Sequence, residues 1–230
     1  MGAFWQKASI PMQALSIDVV SDVVCPWCFI GKRRLEAALS RWQQTHPDVP
    51  VTVRWHPFQL NPDLPMDGMP RAQYVSEKFG SRADTVYDRV REVGADVGIP
   101  FAFDRIARQP NTVLPHSLIA ASGEGLAQDR MKEALLQAYF LDGRDLTQVD
   151  ELQAIAQAAG MSADQARAAL EDRELHAQVR QADGAARGMG ISGVPFFIFN
   201  QRVGVSGAHE PEALLEAMAE SLKPTADDGK

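Results

Sequence analysis

The sequence predicts an α/β fold in which both ends of the chain build one sheet and a long helical block lies between them. Three observations carry this. Leu15 to Trp55 reads strand, helix, strand. From about Pro70 to Gly188 the chain is rich in Ala, Leu, Glu, Gln and Arg and shows little β-branched alternation. Strand texture then returns at Pro195–Phe199. The 230 residues are 45% hydrophobic, enough for a buried core in one compact unit or in a domain with a large insertion.

Each element has a local reason. Leu15, Ile17 and Val19 alternate with Ser16, Asp18 and Val20, and Ser21-Asp22 closes that strand. Ile30, Leu35, Ala38, Leu39 and Trp42 then recur at spacings near three and four, giving one apolar helix face. Pro26 suits the first turn of that helix, where its missing N–H would have no partner anyway. The helix stops before His46-Pro47, because the residue preceding proline disfavours the α region. Val51–Trp55 alternates again. Asn61 to Gly68 carries two prolines and a glycine, and marks a boundary.

Beyond that boundary the expected helices are Arg71–Phe79, Ala83–Val97, Thr112–Gly123, Ala127–Leu141, Val149–Ala159 and Ser162–Gly188. The last breaks near Glu171-Asp172. Ser162 and Gln165 have the spacing of a capping box. Asn200-Gln201-Arg202 turns the chain so that Val203-Gly204-Val205 pairs back as a hairpin. A final helix starts near Pro211, with Leu214, Leu215 and Met218 on one face. The expected organisation is a first sheet-forming part over residues 1–60, a helical insertion over 61–188 and a second sheet-forming part over 189–230. The first dozen residues read as a disordered extension, and Lys223–Lys230 as a frayed tail.

Charge and cysteine usage narrow the function. The formal net charge is −7, against the basic patch that nucleic acid requires. Lys32-Arg33-Arg34 reads as a solvated helix face. Met1 to Gln13 holds one lysine, no long apolar run and an early Pro11, so a cytoplasmic location is expected, with no membrane partner. Cysteine occurs twice, as Cys25 and Cys28 of one C-x-x-C unit. A disulfide scaffold needs several scattered cysteines. A zinc site needs a second pair of ligands, and the five histidines lack H-x-x-x-H spacing, so no metal is expected.

A C-x-x-C that opens a helix after a strand has a mechanical logic. Cys25 lies at the helix N-terminus, where unpaired N–H groups and the helix dipole favour negative charge. Such placement lowers a thiol pKa from about 8.5 into a range of about 3.5–7.5, and the thiolate is the nucleophile. Cys28, one turn on, is close enough to attack the resulting mixed disulfide. Pro26 and Trp27, between them, tune the redox poise. Trp27 reads equally as a shield or grip for substrate and as a half-buried aromatic. Asp22 reads first as a turn residue, with tuning of Cys25 as the alternative. His116, after Pro115 at a helix start, reads first as structural.

Ser21-Asp22-Val23-Val24-Cys25-Pro26-Trp27-Cys28-Phe29-Ile30-Gly31-Lys32-Arg33 resembles the DsbA-like proteins of the FrnE type. So do Gly193-Val194-Pro195-Phe196-Phe197 and Val205-Ser206-Gly207-Ala208, with Asn111-Thr112 and His116 as a weaker match. The resemblance covers nearly the whole chain. It implies a thioredoxin-like fold with a large all-helical insertion. It also implies thiol–disulfide exchange with protein or peptide thiols. Glutathione is a further candidate partner, and no cofactor is expected. It makes Pro195 a cis-proline facing the cysteine pair, with Val194 and Pro195 binding substrate. Read from the residues alone, Val194-Pro195 is an ordinary strand start. Two departures matter. Exported DsbA proteins usually carry a signal sequence and a histidine between the cysteines, where this chain has Trp27, so a strongly oxidising potential does not carry over. Some FrnE-type proteins also hold a second cysteine pair, which this chain lacks.

The competing reading is a glutathione-dependent transferase or isomerase, since kappa-class glutathione transferases and 2-hydroxychromene-2-carboxylate isomerases resemble this architecture. They usually place a serine where Cys25 stands, and the intact pair favours redox work. A non-catalytic binding module would leave the pair idle.

Overall fold

The computed structural model describes residues 14–224. The expected N-terminal extension, the reading of Met1–Gln13 as lacking an export signal, and all but the first two residues of the expected frayed tail lie outside them.

The central sheet has four strands in the order β2-β1-β5-β6, with β1 Leu15–Ser21, β2 Val51–Pro57, β5 Phe196–Phe199 and β6 Val203–Ser206. β1 runs parallel to β2, with Leu15 opposite Val51 and Val19 opposite Trp55. β5 is antiparallel to β1, pairing Ile17 with Phe199 and Val19 with Phe197, and β6 closes the hairpin. The two ends of the chain therefore meet in one sheet. α1, Pro26–Thr45, is the crossover between β1 and β2 that a parallel pair requires.

Alternation along β1 and β5 sorts side chains to two faces. Ile17, Val19, Phe197 and Phe199 enter the main core with Phe29, Leu35 and Ala38 of α1 and with Leu214 and Met218 of α9, Pro211–Ser221. Val20, Phe196 and Ile198 point the other way, into a smaller cluster with Phe58, Ala186 and Ile191.

Between the strands lie α2 Arg71–Phe79, α3 Ala83–Asp96, α4 Val113–Ala121, α5 Leu126–Phe140, α6 Val149–Ala158, α7 Ala163–Glu171 and α8 Arg173–Gly188. The capping box at Ser162 forms, with the Gln165 N–H donating to the Ser162 hydroxyl and the Ser162 N–H to the Gln165 side chain. Asp172 ends α7 and opens α8, its carboxylate accepting the Glu174 and Leu175 N–H groups at 2.9 and 3.1 Å. This helical stretch also contains a two-residue bridge, β3 Met69–Pro70 against β4 Arg108–Gln109. Two-residue strands are too short to leave a period in the sequence. Among the described residues no helix is long and apolar enough to cross a membrane.

Candidate active site

β1 ends at Ser21, and the chain turns through Asp22–Val24 into α1. The turn is held by the Cys25 N–H, which points to the Asp22 carbonyl at 3.4 Å, and by the Cys28 N–H, which bonds the Cys25 carbonyl at 3.0 Å. Cys25 is the N-cap of α1, in an extended conformation, and Pro26 occupies the first turn. The two cysteines are free thiols, 4% and 1% exposed.

Their acidities diverge. The Cys28 thiol donates to the Cys25 sulfur and holds the Cys25 pKa below its ordinary 9.0, against the cost of burial. The N–H groups of Cys28 and Trp27 lower it further, and the negative Asp22 opposes them. Cys28 moves the opposite way. Burial, its bond to Cys25 and the Cys25 charge push it well above 9.0, and only Lys132 and the Asp22 backbone pull it back. The pair is therefore one thiol readily ionised at the mouth and one held protonated behind it.

Behind Cys28 lies a buried polar group. The Asp22 carboxylate accepts the Leu60 N–H at 2.8 Å and faces His116 Nε2 at 3.3 Å, and His116 Nε2 lies 3.2 Å from the Phe58 carbonyl. Lys132 of α5 is fully buried, its ammonium 5.6 Å from the Trp55 ring centroid and without a hydrogen-bond partner. Burial pulls its pKa down, while Cys28, Asp22 and Cys25 pull it up. Asp22 and His116, separate candidates in the sequence, are brought into contact by the fold. Lys132 is a residue that motif and spacing do not single out. Its signal is that it falls on the apolar stripe Met131, Leu135, Leu136 and Tyr139 of its helix, where a lysine is out of place.

The loop before β5 faces the pair from the other side. Val194-Pro195 is cis. The Cys25 thiol donates to the Val194 carbonyl at 3.5 Å. The Pro195 carbonyl is tied to the Gly207 N–H at 2.8 Å, which fixes the loop to the end of β6. α1 comes this close because residue 31 is glycine. A Cβ there would lie 2.8 Å from Pro195 Cγ and 3.2 Å from Phe197 Cζ. Cys25, Pro26, Trp27, Gly193 and Val194 border a cleft, closed on its far side by α2 and α3. Trp27 is half-buried at that edge and packs on the core. The fold thus gathers Cys25, Pro26, Trp27, Cys28, Val194 and Pro195 in one place.

The DSBA-like thioredoxin domain profile matches residues 16–219. The chain belongs to that family. The uncharacterized YwbO protein of Bacillus subtilis (strain 168) is 26% identical over 208 residues, spanning 90% of this chain and 97% of that protein. Among solved structures, a probable DsbA oxidoreductase from Streptomyces coelicolor superposes with a TM-score of 0.80 at 27% identity, covering 92% of each chain. A 2-hydroxychromene-2-carboxylate isomerase superposes with a TM-score of 0.66 at 15% identity, over 94% of this chain and all of that one, and so shares the fold.

Proposed function

We propose that this member of the DSBA-like family is a thiol–disulfide oxidoreductase acting on protein or peptide thiols, with Cys25 as nucleophile and Cys28 as resolving thiol. The observation that carries the reading is the placement of the pair: Cys25 caps α1 at the edge of the cleft and Cys28 lies within the same first turn, the first thiol shifted down and the second up.

In the reducing direction the Cys25 thiolate attacks a substrate disulfide. A Cys25–substrate disulfide forms and one substrate thiolate leaves. Cys28 then loses its proton, attacks Cys25 Sγ and releases the second substrate thiol. Two electrons pass to the substrate, its two sulfurs take up protons, and the protein is left with a Cys25–Cys28 disulfide. An external dithiol resets it, and the reverse sequence oxidises a dithiol. Pro26 and Trp27 set the surroundings of the thiolate. Val194 offers backbone polar groups along which an extended substrate segment can lie, and Pro195 walls the site behind it. The isomerase reading has the fold in its favour and no observation at the cysteine pair.

Cys25→Ser is expected to abolish insulin-disulfide reduction. Cys28→Ser is expected to retain attack and accumulate mixed disulfides with substrate, detectable by non-reducing electrophoresis and mass spectrometry. Mixed disulfides held by Cys28 in the Cys25→Ser protein, with none in Cys28→Ser, would reverse the assignment.

A further inference from the structure

The cleft beside Cys25 has a volume of about 270 Å³, and its charge does not balance. One wall carries Cys25, Trp27 and Val194, and the facing wall carries Arg71, Lys78 and Tyr87. Arg71 is only 8% exposed. Its Nη2 donates to the Tyr87 hydroxyl at 2.7 Å, and its Nη1 donates to the Gln109 side-chain oxygen and, at 3.4 Å, to the Tyr139 hydroxyl. All three partners are neutral. Lys78 is exposed, donates to the Tyr74 hydroxyl at 2.6 Å and lies over that ring. Among the described residues neither cation forms an ion pair.

A buried cation without an anion is uncommon, because desolvation is costly unless a counter-charge offsets it. This chain does supply counter-charges elsewhere. Lys32, expected on a solvated helix face with Arg33 and Arg34, is instead 2% exposed, and it meets Glu36, Asp129 and Glu133. Arg71 is treated differently, and its three bonds do not exhaust the five donors of its planar fork, the geometry that matches a carboxylate.

We propose that this cleft is a carboxylate-recognition subsite, and that among the peptide-sized disulfides exchanged at Cys25 it favours small ones that bear a carboxylate near the sulfur. The proposal rests on the reading of Cys25 as nucleophile. The volume lies near the lower end for ligand pockets and suits a small molecule. Phe79, Val86 and Val90 complete an apolar lining for the carbon skeleton of the acid. The net charge of −7 repels anions at a distance, so a preference for an acid has to arise locally, at Arg71 and Lys78. The exchange balances as above: the reduced pair gives two electrons to the acid disulfide, which leaves as two thiols.

The test compares dithiodipropionate with its dimethyl ester, the same disulfide with and without carboxylates. The reduced full-length protein is oxidised by each, and each rate is divided by that compound's rate with free dithiothreitol. The wild-type protein is expected to favour the diacid about tenfold, the discrimination of one charge-assisted fork. Arg71→Gln should bring that ratio close to one. Arg71→Lys should retain part of it, and Lys78→Gln should lower it about two- to threefold. A wild-type ratio near one overturns the subsite, as does a ratio unchanged in both Arg71→Gln and Lys78→Gln. If Arg71→Gln fails to fold, the wild-type ratio and exposed Lys78→Gln decide. Oxidation by neither compound overturns the exchange reading and the subsite with it, whereas oxidation by both at normalised parity overturns the subsite alone.

Discussion

Helix α1 separates two regions of buried charge that the chain handles in opposite ways. On its outer flank Lys32 and Arg33 meet Glu36, Asp129 and Glu133 in a closed network. Burial pulls the Lys32 ammonium down, yet Asp129, Glu36 and Glu133 together hold it above its ordinary pKa. Around the first turn of the same helix the ledger stays open. Lys132 faces two thiols and Arg71 meets only neutral groups. Charge that serves packing is neutralised on the spot. Charge left open lies beside groups that change their own charge, as the cysteines do in exchange, or beside a cleft that can admit an anion.

Removing the two buried lysines should sharpen that contrast. Lys32→Met leaves three partly exposed carboxylates, two of them still paired with Arg33, and the loss of their buried counter-charge should cost about 1–3 kcal/mol. Urea unfolding should show the loss, with exchange by the surviving folded protein little altered. Lys132→Met should do the reverse. It replaces a buried cation that makes no hydrogen bond with an apolar chain of similar length, so stability should hold or rise. The charge that draws the Cys28 pKa down is lost, so release of mixed disulfides should slow by about tenfold in stopped-flow measurements. Equal stability losses in the two variants would erase the distinction.

The contrast also explains what the sequence could tell. Period and caps are local, so the strand from Leu15, the helix from Pro26 to just before His46 and the break at Asp172 could all be read from single residues and their neighbours. The thiol pair could be read for the same reason, since Cys25 and Cys28 lie within one turn. The cleft could not. Arg71 opens α2, Tyr87 lies on α3 and Gln109 on β4, and nothing in their spacing announces that they meet. Lys132 was legible only as an offence against its own helical stripe.

Acid should act on the two regions with opposite results. Burial pushes the Glu133 carboxyl up, but the bonds from Arg33 and Lys32 outweigh it and hold the pKa at about 2, below its ordinary 4.5. A carboxylate depressed on folding stabilises the protein above the unfolded value, and that contribution fades as pH falls from 4.5 towards 2. It is on the order of 3 kcal/mol before screening. Urea midpoints should therefore fall across this window, and Glu133→Gln should flatten the fall. At the cysteine pair the relevant window is alkaline. Cys25 should react with iodoacetamide below pH 9.0, and Cys28 should stay unreactive as pH passes 9.0, read by mass spectrometry of the labelled peptides. Parallel labelling of both thiols would count against the opposed acidities.

The smallest effect expected is also the most local. Gly31 of α1 and Gly184 of α8 are both helical glycines, and in an open helix alanine is favoured over glycine by about 1 kcal/mol. Nothing lies within 4 Å of a Cβ built at Gly184, so Gly184→Ala should raise stability by up to that amount. At Gly31 the new Cβ would sit 2.8 Å from Pro195 Cγ, a ring atom that cannot swing aside as a flexible side chain does. Overpacking of this kind costs about 1–3 kcal/mol and cancels the helical gain. The loop must move away from α1, and the Val194 carbonyl, now 3.5 Å from the Cys25 sulfur, moves with it. Gly31→Ala should therefore lower the urea midpoint modestly and slow exchange at Cys25 together, whereas Gly184→Ala leaves exchange untouched. A Gly31→Ala protein as stable and as fast as Gly184→Ala would mean that the approach of α1 to the Pro195 loop does not set the geometry of the site.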